Sequence, residues 1–330
     1  MSRTRLSLGA ALGAIALLIA VWAGGAGAAT TGPEAATGAA TSGASAAPVK
    51  LGFITKFPVG FFFTLENAAK KWDRAHPGAV VVFAQGKSAT DDAGVIAAIQ
   101  DLVAQGAKGI AVTPTSPAVS KALDAAIEQG VKVVLMDNDI PGWKNKSSVV
   151  ATNNYKGGVL AGKYLAQRLR PGDKLGVLAG VPGVPALDDR VNGMLAGLGA
   201  LKSKLKIVGK LRTDCAQDKG FAAAQTILTA NPDLKAMYSA CGPPAMGALQ
   251  AIRRANIDPK DIITVGFDAQ PEELAEIKKG THDASIAQFP ARIGLLGVDT
   301  LWKVVQGKKV PKNVDTGTTV VTKANASKFG

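Results

Sequence analysis

The sequence predicts an α/β protein of two similar lobes, each a doubly wound parallel β-sheet with helices on both faces. Short apolar, strand-like runs alternate with amphipathic helical runs of roughly 10–15 residues, which is typical of parallel sheets covered on both sides. The same series starts again after residue 151. The chain has 330 residues, which is long enough for two domains of ordinary size.

Residues 1–28 are predicted to be a secretory signal peptide. A basic start is followed by the apolar run 6–22 and by small residues that end at Ala28, and cleavage is expected between Ala28 and Ala29. The alternative is an uncleaved membrane anchor, although the apolar run is at the short end of spanning length. No cysteine lies near the cleavage site, which excludes a lipid anchor there. The expected location is the periplasm.

Residues 29–48 consist almost entirely of Ala, Thr, Ser, Gly and Pro, with one acidic residue. Such a segment cannot bury a core and is predicted to be a disordered leader. The fold is expected to begin at Val49, and no later apolar run approaches membrane-spanning length.

The formal charge of the chain is +13, and loss of Arg3 and Arg5 with the signal peptide would leave +11. A basic balance can mark binding to nucleic acid or to an anionic surface. Here, however, Lys and Arg occur singly or in pairs, and acidic residues lie between them. No basic run contains stacking aromatic residues, so we expect a solvated surface and no nucleic-acid partner.

The first lobe is predicted to contain five strands and the helices between them. Ser116 is a natural N-cap and Pro117 suits the first position of a helix. Gly106 and Gly130 lie where helices must stop. The strands are expected at residues 50–54, 80–83, 109–113, 131–136 and 149–151, and the helices at 62–75, 93–105 and 116–129.

The second lobe repeats this alternation, and two elements then follow that the pattern assigns to neither lobe. These are helix 290–305 and the apolar segment 318–321. The helices of the second lobe are expected at residues 155–169, 188–199, 221–228, 244–255 and 271–279, and its strands at 175–179, 205–211, 236–239, 263–267 and 284–287.

The residues that follow the predicted strands define a candidate site, because ligands of open parallel sheets bind beyond the carboxyl ends of the strands. Aromatic rings, carboxylates, amides and one guanidinium group all fall there. This combination suits a neutral polyhydroxylated ligand, since rings can cover C–H surface and the polar groups can bind paired hydroxyls. The candidates are Phe61, Phe62, Asp137, Asn138, Arg190, Cys215, Cys241, Asp268 and Gln288.

Seven short motifs are similar to those of one known family. They are Gly60-Phe61-Phe62, Met136-Asp137, Asp189-Arg190, Pro232-Asp233-Leu234-Lys235-Ala236, Ala245-Met246-Gly247-Ala248-Leu249, Val265-Gly266-Phe267-Asp268 and Ile286-Ala287-Gln288-Phe289-Pro290. Together they make the chain, from residue 49 to about residue 325, resemble the type I periplasmic binding proteins. The resemblance is to the ribose-binding-like group that serves ABC sugar importers.

The resemblance implies two lobes joined by a hinge of three crossings, with a sugar in the cleft between them. The chain would leave the first lobe near Thr152-Asn153, return near Gln288 and cross again near residues 317–320. Helix 290–305 would then belong to the first lobe. The lobes would comprise residues 49–152 with 289–318, and residues 153–288 with 319–330.

The resemblance also implies that Phe61 and Phe62 pack on the sugar. Two departures from the ribose binders leave the ligand open among inositols, alditols and other pentoses or hexoses. Asn138 stands where those proteins have Arg, and Cys241-Gly242 stands where they have Asn-Asp. The residues implied to hydrogen-bond the hydroxyls are Asp137, Arg190, Asp268 and Gln288.

Cys215 and Cys241 are the two cysteines of the chain and are predicted to form a disulfide at the border of the sugar site. Exported proteins with an even cysteine count tend to pair them. The two residues follow the second and third strands of the second lobe, which flank the first strand in the usual 2-1-3 order. Their loops must bend inward to reach bonding distance. Cys215 also takes a position that is usually aromatic in the ribose-binding-like group. The alternative is two free, half-buried thiols.

The expected function is that of a monomeric solute-binding subunit that delivers a sugar or polyol to the permease of an ABC importer. The alternative is an adaptor that presents bound sugar to a receptor kinase or chemoreceptor. A repressor is disfavoured because no helix-turn-helix precedes Val49. His76 and His282 have no evident nucleophile or metal partner, and no metal or dinucleotide motif is present. We therefore expect no catalysis, no metal and no cofactor.

Overall fold

A computed structural model describes residues 47–329, so the predicted signal peptide and nearly all of the predicted leader lie outside the described residues. The first part of the fold alternates strands and helices as the sequence pattern indicates. Its elements are β1 (Val49–Thr55), α1 (Gly60–Arg74), β2 (Ala79–Gln85), α2 (Asp92–Ala104), β3 (Gly109–Val112), α3 (Ser120–Glu128), β4 (Lys132–Met136) and β5 (Ser148–Ala151).

The second part repeats the alternation, and one helix and two short strands then follow. The repeat consists of α4 (Asn154–Ala166), β6 (Lys174–Ala179), α5 (Pro185–Gly197), β7 (Lys206–Arg212), α6 (Gln217–Ala230), β8 (Leu234–Ser239), α7 (Gly242–Arg254), β9 (Ile263–Asp268), α8 (Pro271–Lys279) and β10 (Ala284–Ala287). The last elements are α9 (Pro290–Val305), β11 (Asn313–Asp315) and β12 (Thr319–Thr322).

The strands form two six-stranded sheets of the same order. Sheet A runs β2-β1-β3-β4-β5-β11, and sheet B runs β7-β6-β8-β9-β10-β12. Neighbouring strands are parallel throughout, except that β12 runs antiparallel to β10. Apolar clusters cover both faces of each sheet. The predicted fold class of two doubly wound parallel-sheet lobes is confirmed.

We call sheet A with α1–α3 and α9 the first lobe, and sheet B with α4–α8 the second lobe. Helix α9 packs against α1 and against strands β3, β4 and β5. Glycines allow this close packing, because a side chain at Gly294 would collide with the backbone of Leu65 and one at Gly297 with Met136. The indole nitrogen of Trp72 lies 3.4 Å from Asp299 Oδ1 across the same contact.

Three segments connect the lobes, between β5 and α4, between β10 and α9, and between β11 and β12. They are hydrogen-bonded to the lobe ends and to one another. Thr152 Oγ1 lies 3.4 Å from Thr316 Oγ1, the Asn153 amide lies 3.3 Å from Asp315 Oδ1, and Thr318 Oγ1 donates to the Ala287 carbonyl at 2.8 Å. The crossings thus lie side by side, as a hinge requires.

The structure differs from the sequence prediction in a few elements. Strand β11 was not predicted, because its three residues, Asn-Val-Asp, are too few and too polar to show a strand pattern. Helix α5 begins at Pro185, before the predicted residue 188, and a proline suits this first position. Within residues 47–329, no helix has the length and hydropathy needed to cross a bilayer.

Candidate ligand-binding site

The carboxyl ends of both sheets face one cavity of about 170 Å³ between the lobes, here called the central cavity. This position is the one expected for a ligand of open parallel sheets. Every candidate residue of the sequence analysis lines it, and five of them come from the second lobe. The nine residues are Phe61, Phe62, Asp137, Asn138, Arg190, Cys215, Cys241, Asp268 and Gln288.

The aromatic wall of the first lobe comes from the segment that opens α1. The rings of Phe61 and Phe62 meet edge to face at 5.2 Å, and Phe57 meets Phe62 at 5.3 Å. Phe62 is also part of the apolar core of its lobe, which fixes the wall in place. Phe63 is 46% exposed and does not line the cavity. Only the first two of the three consecutive phenylalanines therefore face the site.

Asp137 lies directly after β4 and is almost completely buried. Its backbone takes the left-handed conformation, with φ of 64°, and its amide donates to the Val150 carbonyl at 3.0 Å. The Asn138 side-chain amide donates to Asp137 Oδ2 at 3.0 Å. Burial raises the pKa of the Asp137 carboxyl, and the positive charges of Lys56 and Arg190 oppose this rise.

Lys56 is a site residue that sequence reasoning missed. It follows β1 directly, lines the central cavity and is only 7% exposed. Burial lowers the pKa of its ammonium group, and the nearby Asp137 carboxylate opposes this shift. In the part of the chain that the structure describes, the Lys56 side chain makes neither a hydrogen bond nor an ion pair. Lys56 lies two residues after the predicted strand 50–54 and directly after β1 in the structure, which is the position that Asp137 takes after β4.

Arg190 anchors the second-lobe side of the cavity from α5. Its Nε donates to Asn154 Oδ1 at 2.8 Å, and its Nη1 donates to the Ala240 carbonyl at 2.9 Å and to Asp268 Oδ1 at 3.3 Å. The guanidinium carbon lies 3.9 Å from the centre of the Phe267 ring. The arginine is therefore buried, paired and stacked in a single orientation.

Asp268 joins this network from the end of β9. Its Oδ1 also accepts Gln288 Nε2 at 2.6 Å, and its Oδ2 accepts the Gly242 amide at 3.3 Å. Because a carboxylate has about four acceptor positions, Asp268 retains one of them on Oδ2 for a ligand hydroxyl. Its main contribution within the protein is to hold Arg190 and Gln288 in place.

Backbone conformations that are unusual for residues with side chains concentrate around this cavity. Of the six non-glycine residues with positive φ among residues 47–329, four line it: Asp137, Asp214, Cys215 and Asp268. Such conformations cost free energy and persist where the surrounding structure holds them, often at functional sites.

The predicted disulfide is present between Cys215 and Cys241, whose Cα atoms lie 5.5 Å apart. The two residues follow β7 and β8, which flank β6 as the 2-1-3 order requires. Both line the central cavity. The bond therefore links two loops of the second lobe at the wall of the site. Of the two cysteines, Cys215 takes the position that the resemblance to ribose-binding-like proteins gives to an aromatic residue.

A second group of lining residues was also missed. Val181 and Val184 lie between β6 and α5, Ala186 and Leu187 lie in the first turn of α5, and the four form an apolar wall. They come just after a predicted strand, but they carry no polar or aromatic group and so gave no signal for a ligand site. Gln270 and Asp214 also line the cavity.

The arrangement defines a class, that of two-lobed proteins that bind a small ligand between parallel sheets. Residues 51–309 match the family described as "Periplasmic binding protein domain", and the chain belongs to this family.

Among its relatives, the chain is 32% identical over 255 residues to the ribose import binding protein RbsB of Bacillus subtilis, covering 77% of this chain and 80% of the relative. A solute-binding protein of Agrobacterium vitis solved with bound D-fucose has a TM-score of 0.79 at 28% identity and covers 85% of this chain and 97% of its own. A Mycobacterium smegmatis solute-binding protein solved with glycerol has a TM-score of 0.78 at 28% identity, covering 86% of this chain and 96% of its own. The predicted resemblance to ribose-binding-like proteins is thereby confirmed.

Asp137→Asn is expected to weaken sugar binding by about ten- to a hundredfold. A carboxylate accepts two hydroxyl hydrogens at once, and charged hydrogen bonds are worth roughly 1.5–3 kcal/mol. Asparagine tolerates the left-handed backbone of this position, which alanine would not, so stability should not fall. Calorimetric titration with the best sugar or polyol measures the change.

The matched control is Asp139→Asn. Asp139 lies in the same loop but pairs with Lys146 at 2.7 Å and does not line the central cavity. The Asp139→Asn variant should therefore bind the sugar or polyol with the wild-type affinity. Equal affinities of the Asp137 and Asp139 variants would show that the Asp137 carboxylate does not contact the ligand.

Proposed function

We propose that this protein is the solute-binding subunit of an ABC importer and captures a neutral sugar or polyol by closing its two lobes. The observation that carries the proposal is that each lobe supplies only half of the central cavity. Phe61, Phe62 and Asp137 belong to the first lobe, whereas Arg190 and Asp268 belong to the second. Ligand contacts on both sides favour the closed form, which a membrane permease would recognise.

The charges of the cavity support a neutral ligand. Lys56 and Arg190 are balanced by Asp137 and Asp268. The third lining carboxylate, Asp214, pairs with Arg212 and Lys219. An acidic or basic ligand would therefore leave a buried charge unpaired. We infer that the Lys56 ammonium donates to ligand oxygens while Asp137 accepts from its hydroxyls. Both side chains then gain hydrogen bonds that the protein alone does not give them.

The family membership and the sequence of the N-terminal segment support the remaining parts of the proposal. Relatives include proteins named for ribose import and for allose binding, and the chain belongs to the periplasmic binding protein family. With the export signal predicted in residues 1–28, we infer that the mature chain works as a periplasmic monomer and that its partner is an ABC permease.

The experiment is a thermal-shift screen of the mature protein against a sugar and polyol library, followed by small-angle scattering. A stabilising compound should also reduce the radius of gyration at saturation. If no sugar or polyol raises the melting temperature, the ligand class is wrong. If a ligand binds and scattering does not change, the site is preformed and the clamp mechanism fails. Co-purification of a receptor kinase or chemoreceptor in place of a permease would favour the sensing role.

A further inference from the structure

The disulfide joins two parts of the second lobe that differ in how firmly they are held. Cys241 is only 2% exposed and lies directly before α7. The residues on either side of it contact the charged groups of the site, because the Ala240 carbonyl accepts Arg190 Nη1 at 2.9 Å and the Gly242 amide donates to Asp268 at 3.3 Å. Cys241 is therefore a fixed point within the polar network of the central cavity.

The other cysteine lies in a less constrained segment. Cys215 belongs to the connection between β7 and α6, and β7 is an edge strand of sheet B whose residues are mostly exposed. The connection is anchored at its start, where the Thr213 amide and hydroxyl both donate to the Ala179 carbonyl at 2.9 Å. Within residues 47–329, the next two residues, Asp214 and Cys215, make no hydrogen bond to another backbone group.

These two residues also have a backbone conformation that residues with side chains avoid. The φ angles of Asp214 and Cys215 are 51° and 56°, in the left-handed region, which costs free energy unless the surrounding structure maintains it. The Asp214 carboxylate pairs with the exposed side chains of Arg212 and Lys219, and such exposed pairs contribute little. The covalent bond to Cys241 is therefore the firmest direct link of this pair to the lobe, and both residues line the central cavity.

We propose that the Cys215–Cys241 disulfide positions one wall of the ligand site and thereby makes ligand affinity depend on the redox state of the two cysteines. This inference rests on the proposed function. The closed bond keeps Asp214 and Cys215 at the cavity in the left-handed conformation. When the bond is open, the two residues can relax to a favoured backbone conformation and leave the wall, so the second lobe presents an incomplete surface to the ligand.

Opening of the bond requires a dithiol as the reductant. One thiolate of the dithiol attacks the half-buried Cys215 sulfur, which is more accessible than that of Cys241, and the Cys241 sulfur leaves as a thiolate. The second thiol then displaces Cys215, so the dithiol becomes a disulfide and the protein gains two electrons and two protons. Because reduction and ligand binding are coupled equilibria, the ligand must favour the closed bond by the same factor as the closed bond favours the ligand.

The test compares the oxidised and the reduced form of the full mature protein by calorimetric titration with the sugar or polyol that binds best in the library screen. Near-ultraviolet circular dichroism checks that the protein reduced by dithiothreitol remains folded. The reduced form should bind about tenfold more weakly or worse, which is within the usual range of coupling between sites. The double variant Cys215→Ala, Cys241→Ala should bind equally weakly with and without dithiothreitol.

A bond that only stabilises the fold would leave the affinity of the folded, reduced protein unchanged. Equal affinities of the oxidised and reduced forms therefore overturn the inference and leave the proposed function intact. The proposed function fails instead if no sugar or polyol binds the oxidised protein.

A second measurement decides the matter if the reduced protein does not stay folded. It follows the rate at which dithiothreitol reduces the oxidised protein under native conditions, by counting the thiols that appear. A ligand on the wall covers the bond, so a ligand concentration ten times the Kd should slow reduction about tenfold, because only the ligand-free fraction reacts. The control is a sugar that does not bind in the screen, which should not change the rate. If the bound ligand also left the rate unchanged, the bond would not belong to the ligand site and the inference would be overturned.

Discussion

Arg190→Ala is expected to lower the free energy of unfolding of the ligand-free protein by about 3 kcal/mol, as removal of one partner of a buried ion pair typically does. The substitution removes the donor to Asn154 and to the Ala240 carbonyl, and it leaves Asp268 without its cation. It also opens space beside the Phe267 ring, on which the guanidinium stacks. The loss should lie near the lower end of the range for buried pairs, because Asp268 keeps its hydrogen bonds from Gln288 and Gly242.

Urea unfolding without ligand measures this effect, and Arg254→Ala provides the control. Arg254 is an exposed residue in the last turn of α7, so its substitution should change the unfolding free energy by less than about 0.5 kcal/mol. If both variants were equally stable, Arg190 would contribute only to ligand binding. Sugar affinity should fall in the Arg190 variant alone, because its guanidinium lines the central cavity.

Removal of the disulfide is expected to cost about 3–4 kcal/mol of stability. The bond closes a loop with a sequence separation of 26, and in the chain-entropy account closing a loop of this length restricts the unfolded chain by that amount. The double variant Cys215→Ala, Cys241→Ala should therefore unfold at a lower concentration of guanidinium chloride than the wild type.

A reducing agent supplies the matched control for the disulfide. Dithiothreitol should shift the unfolding midpoint of the wild type towards that of the double variant, and it should not shift the double variant itself. A wild type that is insensitive to reductant, with two thiols that react in denaturant, would contradict a bond in the purified protein.

Much of this site could be predicted because strand ends in parallel sheets converge. Asp137 follows an apolar strand of sheet A, and Asp268 and Gln288 occupy the same place after strands of sheet B. The strand pattern alone therefore puts each of them at the carboxyl edge of its own sheet. The strand order also placed Cys215 and Cys241 on either side of β6. In each case a short apolar run and one chemically distinctive residue after it carried the information.

The remaining parts depended on side-chain placement that local patterns do not encode. Lys56 belongs to a residue type that is almost always solvated, so nothing in the neighbouring sequence indicated that its ammonium would be buried. The apolar segment at Val181 and Val184 resembles an ordinary connecting loop. Strand β11 depends on pairing with β5, which lies more than 150 residues earlier in the chain.

The packing of α9 against α1 also has a kinetic consequence. Residues of the first lobe that touch, such as Trp72 and Asp299, are 227 positions apart, so this lobe cannot be completed until nearly the whole chain has been synthesised. Contacts between such distant residues slow folding, because a long loop must close before they form. For a chain with the export signal predicted here, slow completion lengthens the time during which an unfolded precursor can be threaded through a translocation channel. The interlaced connectivity of the lobes thus favours secretion before folding.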